Sequence, residues 1–183
     1  KKSITLDLAK KMINKFVIST CADILREVFI GKNPADVHLS YFFKKNRNLG
    51  SHDRSNIAEL FYGVIRNKRY LEEVVQDENP RKMILAYLMV MLGKSVRELT
   101  PMLNDHEVEW LQNKKSNKQK IDSWPIKLSL PDWLWEKFIQ QHSEKDLIEL
   151  AQSLLVAAQL NLRVNTLKDK SRDEVINELR ESF

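Results

Sequence analysis

Between positions 51 and 76 the chain reads SHDRSNIAELFYGVIRNKRYLEEVVQ, and its apolar residues recur at intervals of three and four. Ile57, Leu60, Phe61, Val64, Ile65, Leu71, Val74 and Val75 fall on one broad stripe of a helix. Such a stripe must be covered, and the rest of the sequence offers mainly other helices to cover it. Leu6, Ala9, Met12, Ile13, Phe16, Val17, Ala22, Ile24, Leu25 and Val28 predict a first helix from after Thr5 to about Phe29, stopped by Gly31 and followed by Pro34. The run MILAYLMVML falls well short of the roughly 18 apolar residues of a membrane span, and predicts a helix buried on nearly all sides. Asn79 caps that helix, Pro80 opens its first turn and Gly93 stands past its end. With only 4 Gly and 5 Pro, a turn-rich β fold is excluded, and the fold class reads as mainly α.

Finer expectations follow from local chemistry. Ser51 or Asp53 supplies the N-cap of the long helix over 51–76. Gly63 inside it costs about 1 kcal/mol relative to Ala, which close packing of a neighbour would offset. NPADVHLSYFFKKNRNLG reads as a turn and a short helix with Leu39, Phe42 and Phe43 inward. Two short helical pieces split at Pro101 lead to a polar loop carrying Lys114, Lys115, Lys118 and Lys120, the best candidate boundary. Beyond it, Pro131 opens an aromatic-rich helix using Trp133, Leu134, Phe138 and Ile139. Ser143 caps another, with Leu147, Ile148, Ala151, Leu154 and Leu155. The exception to all this is LNLRVNT, a strand-like run over 160–166, before a last helix that Ser171 and Glu174 mark at capping-box spacing. A lone strand cannot satisfy its own backbone groups. Either the run is not a strand or it opens a second unit, giving divisions at 1–121, 122–158 and 159–183.

Motifs for chemistry are missing. The sequence holds no G-x-G-x-x-G, P-loop or nucleophile elbow, and His38, His52, His106 and His142 are scattered. NDHEVEW lacks the second histidine of a zincin helix and reads as a solvated helix start. The single cysteine, Cys21, excludes an internal disulfide and reads as a buried structural thiol, a usage that fits a reducing cytoplasm. No metal and no membrane partner is expected. Charge is the positive signal, at +5 with pI about 9.2. Lys44, Lys45 and Arg47 precede the long helix, Arg66, Lys68 and Arg69 lie near its far end, and with Arg54 these seven form a candidate phosphate-binding face. The alternative is an ordinary solvated surface shared with Glu59, Glu72 and Glu73. Lys68 and Arg69 read as exposed, whereas Arg54 and Arg66 also suit structural roles at helix ends. Phe61, Tyr62, Trp133 and Trp135 fall within helices and read as core.

Three segments, in this order, carry a resemblance. DRSNIAELFYGVIRNKRYLE, with its D-R and its E-L-x-Y-G-V-x-R, resembles the helix typical of NusB-like domains. LSLPDWLWEKF resembles the S-x-P-x-W-L segment that follows such a domain in RNA cytosine-C5 methyltransferases of the Sun/Fmu family (rRNA small-subunit methyltransferase B, NOL/NOP/Sun). LNLRVNTLK is similar to the L-R-x-N strand that opens their next subdomain. The resemblance implies a NusB-like helical domain, connecting helices, and the first strand and helix of a truncated α+β subdomain. Its partner strands, and a catalytic domain binding S-adenosylmethionine, would then lie beyond Phe183.

The family's glycine-rich cofactor motif and its two catalytic cysteines, in T-C and P-C contexts, belong to that further domain. Thr20-Cys21, followed by Ala-Asp, stands in for neither. Residues 96–120 lack the family's second helix pair ending in N-x-V-L-R. The partners implied are RNA, specifically rRNA, and the chain's own C-terminal catalytic domain, with no catalytic or cofactor-binding residue here. The alternative is a non-catalytic NusB-like module binding RNA or protein in transcription antitermination.

Overall fold

The computed structural model describes residues 13–116, 120–156, 163–165, 167 and 171–182, and among these the regular structure is helical. Helix α1 (Lys15–Ile30) begins where the Asn14 side chain accepts a hydrogen bond from the Val17 amide at 2.9 Å. This cap corrects the unbroken helix expected from after Thr5. Asn14 is extended (φ −124°, ψ 172°), the conformation a side-chain cap requires. The expected start near Thr5 lies outside the described residues. Helix α2 (Ala35–Lys45) turns Leu39 fully inward and half-buries Phe42 and Phe43.

Helix α3 (Ser51–Arg66) is capped by Gly50, not by Ser51 or Asp53. Both of those lie already inside its first turn, where Asp53 complements the positive end of the helix dipole. The single helix expected over 51–76 is in fact two. At Asn67 (φ −107°, ψ 17°) the side-chain amide donates to the Gly63 carbonyl at 2.8 Å, and the backbone N–H reaches Val64 instead. The side chain has taken the carbonyl that a continuing helix would offer to the backbone. The chain restarts as α4 (Lys68–Val75).

Helix α5 (Pro80–Val90) has the expected Asn79 cap, which accepts from Arg81 N–H at 3.0 Å, and residues Met83 to Leu88 are all buried. Past its end Gly93 takes φ +67°, and Lys94 N–H bonds back to Leu88 at 2.9 Å. Gly63 of α3 faces this helix. A Cβ there would fall 2.5 Å from Tyr87 Cζ and 2.9 Å from Cε1, so the close neighbour is the Tyr87 ring. Helices α1, α3, α4 and α5 pack together around Val17, Ile18, Leu25, Leu60, Phe61 and Leu88, with α2 against α1. Cys21 is buried here, and burial pushes its thiol pKa up, as suits a structural role.

Helix α6 (Val96–Leu99) runs into a 3-10 turn over Thr100–Met102 that contains Pro101, and α7 (Asp105–Ser116) follows. Asn104 and Glu107 exchange backbone-to-side-chain hydrogen bonds at 2.9 and 3.0 Å, closing the start of α7. Glu107 also receives Arg81, which reaches Ser19 of α1 and the Met102 carbonyl as well. Lys114 and Lys115 belong to the last turn of α7 rather than to a loop, and Lys118 lies outside the described residues.

A second, smaller cluster joins α8 (Trp124–Lys127), α9 (Asp132–Ile139) and α10 (Glu144–Leu155) around Leu128, Leu130 and Ala151, with Leu134, Trp135 and Ile148 packed on them. Ser143 caps α10 by accepting from Asp146 N–H. Trp133, Ile139 and Leu154, read as packing residues, are exposed instead. In the strand-like run, Leu160, Asn161, Leu162 and Thr166 lie outside the described residues, and residues 163–165 form no strand. Asn165 accepts from Leu167 N–H at 3.1 Å, a local turn bond that competes with extension. Helix α11 (Arg172–Ser182) starts with the reciprocal Ser171–Glu174 bonds its spacing predicts, at 2.6 and 3.3 Å.

Candidate nucleic-acid interface

The seven candidate cations do not form one face; their surroundings divide them. Lys44 and Lys45 close α2, and Arg47 follows in the loop to α3, all three exposed. Among the described residues none of them has an ion-pair partner. The two lysines also suit the negative end of the α2 dipole, a stabilisation of about 0.3–1 kcal/mol that leaves their charges facing water.

Arg54 sits behind this group and is not free to join it. Its Nε donates to the Leu49 carbonyl at 3.0 Å, its Nη2 to the Asn46 carbonyl at 2.9 Å, and its guanidinium lies over the Phe43 ring at 5.3 Å. Asn46 in turn closes α2 by donating to Phe42. Arg54 thus fixes the loop that carries Arg47, next to Lys44 and Lys45. It is a positioning residue for the exposed trio.

At the other end of α3, Arg66 is half-buried, and its Nε has no hydrogen-bond partner. Its charge opposes, without cancelling, the rise that burial imposes on the Tyr87 hydroxyl pKa. Lys68 pairs with Glu72 and lies 4.9 Å over the Phe29 ring. Arg69 departs most from the sequence reading. Its guanidinium grips both oxygens of Asp132 at 2.7 and 2.8 Å and donates to the Leu130 carbonyl. Beside it, Ser129 Oγ accepts the Tyr70 amide at 3.1 Å. That amide lies in the first turn of α4, which has no side-chain cap of its own because Asn67 is bonded to Gly63. Ser129 holds φ +51°, in the left-handed region, to make this bond. Ser129, Leu130 and Asp132 therefore form one docking segment, and an open concavity of about 500 Å³ lies along it between α4 and the start of α9.

A second cleft of about 450 Å³ is lined by Tyr70, Val74, Met89 and Val96 together with Lys114 and Lys115. Among the described residues no group of three or more His, Cys, Asp and Glu is placed to hold a metal ion, and no helix is long and apolar enough to cross a membrane. No family model, curated protein or solved structure matches this chain.

Of the seven predicted site residues, the structure brings Lys44, Lys45 and Arg47 together as free cations with Arg54 behind them. It puts Arg66, Lys68 and Arg69 elsewhere, with Lys68 paired to Glu72 and Arg69 to Asp132. Sequence reasoning missed the role of Ser129 and Asp132, whose only signal was the S-x-P-x-W-L pattern itself.

Proposed function

We propose that these 183 residues are the RNA-holding helical part of an S-adenosylmethionine-dependent RNA cytosine-C5 methyltransferase, positioning rRNA for a catalytic domain outside this chain. One observation supports this reading above others. The helix segment and the S-L-P-D segment that carry the resemblance to the Sun/Fmu family are bound to each other, through Arg69 to Asp132 and Leu130 and through Tyr70 to Ser129. A motif whose residues serve a joint between two units makes sense where a further unit must be held in a set orientation. Lys44, Lys45 and Arg47 supply the RNA contact, through phosphates and without reading sequence. The chemistry on cytosine belongs to the further domain, and no step of it is assigned to residues of this chain.

The test is RNA affinity measured against salt. Each neutralised phosphate contributes about 0.7 to 0.9 to the slope of log affinity against log salt, so replacing Lys44, Lys45 and Arg47 with Ala should flatten it by about 2 to 3. An unchanged slope in a folded variant would clear the three of contact. Failure of the original protein to bind any structured RNA at low salt would overturn the RNA reading and favour a protein-binding module.

A further inference from the structure

The outward face of α2 carries an aromatic ring among its cations. Residues 37, 41, 44 and 45 are three and four apart, so they share one side of the helix, away from buried Leu39 and half-buried Phe42 and Phe43. Tyr41 is 64% exposed and Val37 is 48% exposed. Neither a hydrogen bond nor a ring contact ties Tyr41 to any described residue. A single exposed tyrosine is ordinary on a protein surface. This one lies about one helical turn, ~5 Å along the axis, from lysines without partners, and the loop beyond them is fixed by Arg54. By contrast Phe61 of α3 is fully buried and offers no ring to a base.

We propose that Tyr41 is a stacking platform for an unpaired RNA base, with Lys44, Lys45 and Arg47 holding the neighbouring phosphates. This rests on the RNA-binding reading and narrows it to the class of RNA bound. Phosphates are present in duplex and single strand alike, so the cations alone do not discriminate. Only an unpaired nucleotide can turn its base face onto the ring, because in a duplex both faces are stacked. The face formed by Val37, Tyr41, Lys44 and Lys45 therefore prefers loops, bulges or single strands over continuous helix.

The experiment measures affinity for a labelled single-stranded oligouridine and for an RNA duplex of equal length, at one low salt concentration. Tyr41→Ala should weaken single-strand binding by about 5- to 150-fold, the range for losing one base–aromatic stack, and change duplex binding by less than about 2-fold. Tyr41→Phe, which keeps the ring, should bind like the original. Lys44→Ala with Lys45→Ala should weaken both RNAs. The side chain is exposed, so thermal melting should report a folded Tyr41→Ala protein. If the original binds RNA and Tyr41→Ala leaves single-strand affinity unchanged, or lowers both affinities equally, the stacking role is overturned and the RNA-binding reading survives. If the original binds neither RNA, both fall.

Discussion

Removing Arg69 should separate the unfolding of the two hydrophobic clusters. Its guanidinium makes two unlike interactions. The pair with Asp132 faces solvent, the carboxylate side chain being 66% exposed, so screening limits it to about 0.5–1 kcal/mol. The bond to the Leu130 carbonyl has a charged donor and a nearly buried acceptor residue, and contributes about 1.5–2 kcal/mol. Arg69→Ala should therefore lose about 2–3 kcal/mol across the joint. Asp132→Ala should lose about 1 kcal/mol, because Arg69 keeps the carbonyl. Arg69→Lys retains charge without the planar fork and should recover less than half of the loss.

Urea unfolding followed by two probes reads this directly. Three of the 4 tryptophans, Trp124, Trp133 and Trp135, lie in the smaller cluster or on α9, so fluorescence follows that part while far-UV circular dichroism follows all helices. In the original protein the two transitions should coincide. In Arg69→Ala the fluorescence midpoint should fall by on the order of 1 M and part from the circular dichroism midpoint. Equal losses for Arg69→Ala and Asp132→Ala, or coincident and unshifted transitions in Arg69→Ala, would refute the reasoning.

Two further predictions concern the larger cluster. Gly63→Ala gains about 1 kcal/mol of helix propensity but drives a methyl group into the Tyr87 ring, an overpacking that costs about 1–3 kcal/mol. It should destabilise the original protein and stabilise a Tyr87→Leu background; thermal melts showing one effect in both backgrounds would rule out the contact. The Glu107 carboxyl is pushed up by burial, but its bonds from Arg81 and Asn104 outweigh this and hold it below its ordinary 4.5. Its stabilisation is complete above 4.5 and is lost as pH falls through the lower folded value. Glu107→Gln should thus lose about 1.5–3 kcal/mol near neutral pH and progressively less in acid. Melting curves with a constant gap at every pH would contradict this.

What was legible in the sequence was what local chemistry decides. Asn79-Pro80 and Ser171 with Glu174 mark helix starts because the bonds they make span only two or three residues. Gly63 announced a close neighbour because little else explains a glycine inside so regular a stripe. The break at Asn67 was hidden, since one asparagine barely disturbs the apolar period and only the geometry shows its side chain on Gly63. The site divided the same way. A run of charges reveals Lys44, Lys45 and Arg47, but Arg54 and Arg69 look identical to them until their partners are known, and the partners of Arg69 lie 61 and 63 residues away. Whether Tyr41 faces water depends on the phase of a short helix that a pattern of apolar residues fixes only roughly.

The bond from Tyr70 to Ser129 also sets an order in time. The two residues are 59 apart, so the first turn of α4 gains this partner only after the chain has grown well past the larger cluster. At about 5–20 residues per second, synthesis leaves that turn without it for roughly 3 to 12 seconds. Once α5 has been made its contacts hold α4, while the first turn of α4 still lacks this bond and is expected to fray. Emergence of Ser129 then closes the turn, so the later segment finishes a helix whose other residues were made long before it.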